Sequence, residues 1–230
     1  MTSTTSIPFN IFNEFTLDEV QQKVFNKTLA ILIGKGMTFN NDELEKIGNR
    51  FGKKITEKNI MRSIHKWLYD KKQQLGIEMG TYGADYIKIK EDGTVIGSAM
   101  YEMAYHFDCE MIPVAHPNNF GSKNKYIGNN SKGLLRTDGQ GWGGYKNEPS
   151  NPTGATKTTI EFMTYAKKIY LLVVSGGKTT AQELEVYKEM DNVEIIMLNL
   201  YLDSPGEIMA NNLEIKMEDL VLIYTDEDLK

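Results

Sequence analysis

The stretch "KKIYLLVVSGGKTTAQELEVYKEM", residues 167–190, decides the fold. Its apolar run stops at Ser175-Gly176-Gly177, and a stretch of helix formers follows. An apolar run without alternation, bounded by turn residues, reads as a strand buried on both faces, as in a parallel sheet. The spacing therefore predicts a strand over 168–174 and a helix over 179–190. A second run of the same kind, "TLAILIGKGM" at 28–37, is apolar from Leu29 to Ile33 and ends in Gly34-Lys35-Gly36.

Working outward, the same alternation recurs. A strand is expected at 193–199 and a helix at 156–167. Thr16 and Glu19 form a capping-box pattern, so a short helix should run to about Asn26. Asn41 is placed to cap a helix over 42–51, and Thr56 one over 57–75. In that second helix Ile60, Met61, Ile64, Trp67, Leu68 and Leu75 share a stripe, while Lys58, Arg62, Lys66, Lys71 and Lys72 make a basic side that reads as solvated. Residues 76–97 read as extended, with an Asp92-Gly93 hairpin signal; a helix from Asp85 is the competing reading. A helix over 98–107 and a strand over 110–117 follow. The fold class expected is α/β, Rossmann-like: a mainly parallel sheet with helices on both faces. Residues 1–27 form an arm and helix, and 28–205 the Rossmann-like domain. Within that domain, 118–154 is a glycine-rich insertion or lid. Residues 206–230 are an acidic tail with a final edge strand at 220–225.

Totals bound the function. The 230 residues carry a formal net charge of -5, which gives no global attraction to nucleic acid or anionic membranes. Cys109 is the only cysteine, so no internal disulfide forms and a reducing compartment fits. His65, His106 and His116 are scattered without metal-ligand spacing, so no metal is expected. The opening MTSTTSIPFN has neither a basic nor an apolar signal region, and no apolar run approaches a membrane span. The expected location is the cytoplasm, with no membrane partner.

In doubly wound sheets, ligands sit at the carboxyl ends of strands. A helix starting near Thr179 offers amides without internal partners and the positive end of its dipole. Gly176 and Gly177 let an anion approach the main chain, and Thr179 and Thr180 add hydroxyls. The alternative is a tight turn with no ligand. Gly34 and Gly36 are placed to line the floor of the same crevice. The 118–154 segment, with Tyr126, Trp142 and Tyr145 among Lys123, Lys125, Lys132 and Arg136, reads either as a base-stacking lid or as a surface loop.

Residues 175–183, Ser-Gly-Gly-Lys-Thr-Thr-Ala-Gln-Glu, resemble the PGGxGTxxE signature of the LOG family of nucleoside monophosphate phosphoribohydrolases, part of the SLOG superfamily of Rossmann-like nucleotide-binding domains. Residues 93–117 are similar to that family's glycine turn, helix and proline-ended strand. Gly80 to Asp85 resembles the Gly-x-x-Gly-Ala-Asp turn of the DprA-like branch, which brings in Gly83 and Asp85 as ligand-binding candidates. The resemblance spans about 28–200. It implies a nucleotide or nucleoside ligand held by Ser175, Gly176, Gly177, Thr179 and Thr180, no cofactor, and a homo-oligomer. It also implies N-glycosidic hydrolysis or transfer with Glu183 as acid/base or charge stabiliser, as a carboxylate near a ribosyl cation can act. Nucleoside deoxyribosyltransferase-like proteins share that layout. Ser175 stands where the family has proline and Thr179 where it has a third glycine. The family's arginine is missing, and Lys157 is the nearest basic residue. Hence a second reading, a nucleotide sensor or sequestering protein without turnover. A weaker third is nucleic-acid binding through the 57–75 helix and the glycine-rich 118–154 segment.

Overall fold

A computed structural model describes residues 14–35, 38–76, 78–84, 87–89, 95–97, 110–115, 134–136 and 154–224. The arm before Glu14, the 98–107 helix, Gly36, Asp85, Cys109, His106, His116 and most of 118–153 lie outside them.

Alternate residues of the apolar runs point to opposite sides of one sheet. From β2 (Thr28–Gly34), Leu29 and Ile31 enter one core and Ala30 and Leu32 the other. From β8 (Lys168–Val174), Ile169, Leu171 and Val173 oppose Leu172 and Val174; from β9 (Val193–Asn199), Ile195 and Met197 oppose Ile196 and Leu198. Strand side chains alternate, so a run apolar at every position requires a covering layer on each face. The first layer holds α1 (Leu17–Val24), α4 (Gly154–Met163), α5 (Lys178–Tyr187) and α6 (Pro205–Asn212), through Val24, Phe162, Leu184 and Ala210. The second holds α2 (Asn41–Phe51) and α3 (Glu57–Leu75), through Ile47, Ile60, Ile64 and Leu68.

The remaining strands are β1 (Glu14–Phe15), β3 (Glu78–Ala84), β6 (Glu110–Ala115), β7 (Leu134–Arg136) and β10 (Lys216–Asp219) in the main sheet, with β4 (Ile87–Ile89) and β5 (Val95–Gly97) as a separate antiparallel pair. The eight-stranded order is β1-β7-β6-β3-β2-β8-β9-β10, and all neighbours pair in parallel. Its stretch from β6 to β10 has the 3-2-1-4-5-6 order of doubly wound sheets, so the order reverses between β2 and β8. The chain is α/β with a Rossmann-like parallel sheet and helices on both faces.

Several local expectations change. Asn40, not Asn41, caps α2, its side chain accepting from the Glu43 amide at 2.9 Å. Thr56 caps α3, which ends at Gly76 in a left-handed turn. The α4 and α5 helices are shorter than the expected 156–167 and 179–190 spans, ending at Met163 and Tyr187. The extended region near 76–97 is two features, the parallel strand β3 and the β4–β5 hairpin. Among the described residues the last strand is Lys216–Asp219, upstream of the apolar 220–225 run, and α6 precedes it within what reads as tail.

Lys71 is not on a solvated face. It is buried and reaches Glu218 of β10 at 2.6 Å, while the Trp67 indole N–H donates to the same carboxylate at 2.8 Å. Burial alone would raise the Glu218 carboxyl, but hydrogen bonds from Lys71, Trp67 and Lys216 outweigh it and hold the group below the usual range. A carboxyl with a depressed folded value contributes stability above its unfolded value and loses it as pH falls through the folded one. The Glu218 contribution to stability should therefore be lost only as pH falls below about 4.5, and Glu218→Gln should be destabilised at neutral pH yet approach the parent under acid. Melting curves across pH check this; a constant difference at every pH contradicts it.

Candidate functional site

Where the strand order reverses, a cleft of about 720 Å³ opens at the carboxyl ends of β2 and β8. Gly34 and Lys35 line it from β2, and Ser175, Gly176 and Gly177 from β8. The starts of α2, α5 and α6 close the other sides with Asn40, Asp42, Lys178, Thr180, Ser204 and Pro205. Three helix N-termini thus meet at one opening, but they differ in what they offer. α2 and α6 have closed capping boxes, Asn40 with Glu43 and Ser204 with Glu207. The α5 N-cap is Gly177, which makes no side-chain cap hydrogen bond. Its first-turn amides are the ones left for an outside acceptor.

The two glycines of the turn have separate jobs. Gly176 sits at φ +134°, and a Cβ there would lie 2.5 Å from the Thr180 side chain. Its carbonyl accepts from the Gly206 amide at 2.9 Å, seating α6 on the turn. Gly177 has nothing within 4 Å of an added Cβ and is exposed, as are Lys178 and Thr179. Gly176 therefore serves packing, and Gly177 faces open space. Ser175 is fully buried in a left-handed conformation, φ +48°, uncommon for a residue with a side chain. Its hydroxyl donates to the Ser204 hydroxyl at 2.9 Å.

Gly34 and Lys35 fix the floor. A Cβ on Gly34 would come within 2.4 Å of the Val174 carbonyl, and the Lys35 amide donates to that oxygen at 2.8 Å. Lys35 pairs with Glu43 at 2.7 Å and lies over the Phe39 ring. Gly83 is on β3 opposite Pro113 of β6, two strands from β8.

The far wall was not anticipated. Glu207 is buried and accepts from the backbone amides of Leu200 at 2.8 Å, Leu202 at 3.0 Å and Ser204 at 3.1 Å. It thereby holds a loop in which Tyr201 and Asp203 are left-handed. The signal was present as Ser204-Pro205-Gly206-Glu207, a capping box with proline at the first helical position.

Glu183 does not line this cleft. It lies farther along α5, half-buried, and accepts from the buried Thr156 hydroxyl of α4 at 3.4 Å. Burial pushes its carboxyl up to about 7, against the weaker opposing effect of that hydrogen bond. Lys157 is next to Thr156 in sequence but is exposed and 3.9 Å from Glu161 on its own helix. The structure brings together Gly34, Ser175, Gly176, Gly177, Thr179 and Thr180; Glu183 and Lys157 stand outside that group. Among the described residues, no cluster of three or more His, Cys, Asp or Glu is arranged to hold a metal, and no helix is long and apolar enough to cross a membrane.

No protein-family model matches the chain, and no curated protein matches it.

Burial of the Glu183 carboxyl ties the stability of the fold to pH. The fold binds a proton there more tightly than the unfolded chain does, so this group's contribution to stability falls as pH rises from about 4.5 toward 7. Glu183→Gln should therefore gain stability over the parent as pH rises through that window, with the difference levelling off above it. Paired melting curves test this; a difference that shrinks with rising pH contradicts it.

Proposed function

We propose that the chain binds a nucleotide or nucleotide-derived ligand across the strand ends, as a SLOG-type domain that senses or sequesters its ligand rather than turning it over. The supporting observation is the start of α5, capped only by glycine and open at the point where the strand order reverses. Anions favour such a terminus through free amides and the helix dipole. The resemblance of 175–183 to the LOG signature supplies the nucleotide character of the ligand. The absence of turnover is supported by where the catalytic candidates stand. Glu183 is outside the cleft and faces a threonine, and Lys157 faces Glu161. A homo-oligomer belongs to the same proposal on the resemblance alone, and a cytoplasmic location on the single cysteine, Cys109.

One observation favours the second reading, N-glycosidic cleavage or transfer. A half-buried carboxyl brought to about 7 suits a general acid or base working near neutral pH. Nucleic-acid binding through α3 is weakened, because Lys71 is spent on Glu218 and Lys66 is paired with Asp70.

Thermal-shift titration separates these. A ligand that binds only the folded state, at about 100 times its Kd, adds about 2.7 kcal/mol of stability. Nucleotides should raise the melting temperature in proportion to the logarithm of their concentration, with no free base released. Release of base, lost in Glu183→Gln, would establish the second reading. No shift with any nucleotide contradicts binding altogether.

A further inference from the structure

β10 is the outermost strand beside β9, and among the described residues no strand pairs with its other edge. The Leu220 amide donates to the Asn199 carbonyl of β9 at 3.2 Å. Alternate residues of a strand bond to the same neighbour, so Lys216 and Glu218 spend their backbone groups on β9. Met217 and Asp219 turn theirs to the open edge. Such an edge is a template for another strand.

The side chains divide by face. Glu218 accepts from Trp67 and Lys71 of α3, and Lys216 is on the same face, 3.2 Å from Glu218. Met217 packs toward the opposite core. The Lys216 side chain is 58% exposed, so it can swing off the edge. Val221, two residues past the strand, is the most exposed large apolar residue described. An edge lysine commonly keeps a strand from pairing. Its effect here depends on register. A two-fold axis normal to the sheet keeps each face on its own side, so residues opposite one another share a face. An axis at Lys216, Glu218 or Asp219 sets a charge against its own copy. An axis at Met217 sets each Lys216 opposite the partner's Glu218 and brings the two methionines together. Opposite charges across a strand pair stabilise it, and like charges destabilise it.

We propose that the open edge of β10 is a self-recognition surface, on which a second copy of the chain adds its own β10 antiparallel about a two-fold axis at Met217. The Met217 N–H and C=O of the two copies exchange hydrogen bonds across the axis. A Lys216–Glu218 pair closes the junction on either side of it. The two sheets become one, and α3 of each copy stands on the same face of it. The inference gives the expected homo-oligomer a surface of its own and stands without the nucleotide reading.

The test is sedimentation velocity of the full chain across a range of concentrations, with no nucleotide present. The parent should associate to a dimer. Lys216→Glu sets carboxylate against carboxylate at both pairs and should weaken that dimer by about tenfold or more. Met217→Pro removes the N–H at the axis and should leave a monomer. That N–H is not spent on β9, so the fold should hold, and melting curves check it. If Met217→Pro does not fold, Lys216→Glu decides, because its side chain is mostly in solvent. A parent that stays monomeric at every concentration overturns the proposal, and so does a dimer that Lys216→Glu leaves unmoved.

Discussion

The contact between Gly34 and the Val174 backbone governs the rest of the molecule. With no Cβ on Gly34, β2 can end against the Val174 carbonyl, and the Lys35 amide then takes that oxygen at 2.8 Å. The two strands meet at the place where the sheet order reverses. On one side of that junction the chain leaves β2 for the α2–α3 face; on the other it leaves β8 for the α5–α6 face. A crevice results because the two connections diverge. A side chain at position 34 would push the strands apart or force the β8 turn to move, and the cleft would change shape before any ligand met it.

From that junction the walls follow by ordinary hydrogen-bond accounting. The β8 turn is held from behind by α6, through Gly206 on the Gly176 carbonyl and Ser204 on Ser175. α6 in turn is tied to the 200–204 loop by Glu207, whose carboxylate meets three amides. Buried backbone groups demand partners, so this one side chain fixes both the loop and the helix start. Of the three helix starts at the cleft, the one that remains open is that of α5, which has no side-chain cap.

The strands buried on both faces could be read directly from the sequence, because a period of two cannot hide in an unbroken apolar run. The bounds of α3 were equally plain, with Thr56 before it and Gly76 after it. Strand β3 was obscured because Gly80 and Gly83 interrupt its apolar residues, and its extended form comes from pairing with β2 and β6. Lys71 looked solvated because its partner is 147 residues away in sequence. The mixed-charge Lys216–Asp219 segment forms the edge strand in place of the greasier run after it, because register with Ile196–Asn199 decides the pairing. At the site, the glycine turn and its threonines were legible from local chemistry. The α2 and α6 walls were not, since they arrive by tertiary packing. The separation of Glu183 from the cleft was also hidden, because a linear signature does not say which side of a helix faces the opening.

The most direct test is a backbone amide NMR titration of the isotopically labelled chain with nucleotides. Binding at the cleft predicts that the largest shifts fall on the amides of Gly177, Lys178, Thr179 and Thr180, with smaller ones at Lys35 and Asp203. Shifts centred instead on Thr156 and Glu183, with the 177–180 amides unmoved, would contradict it.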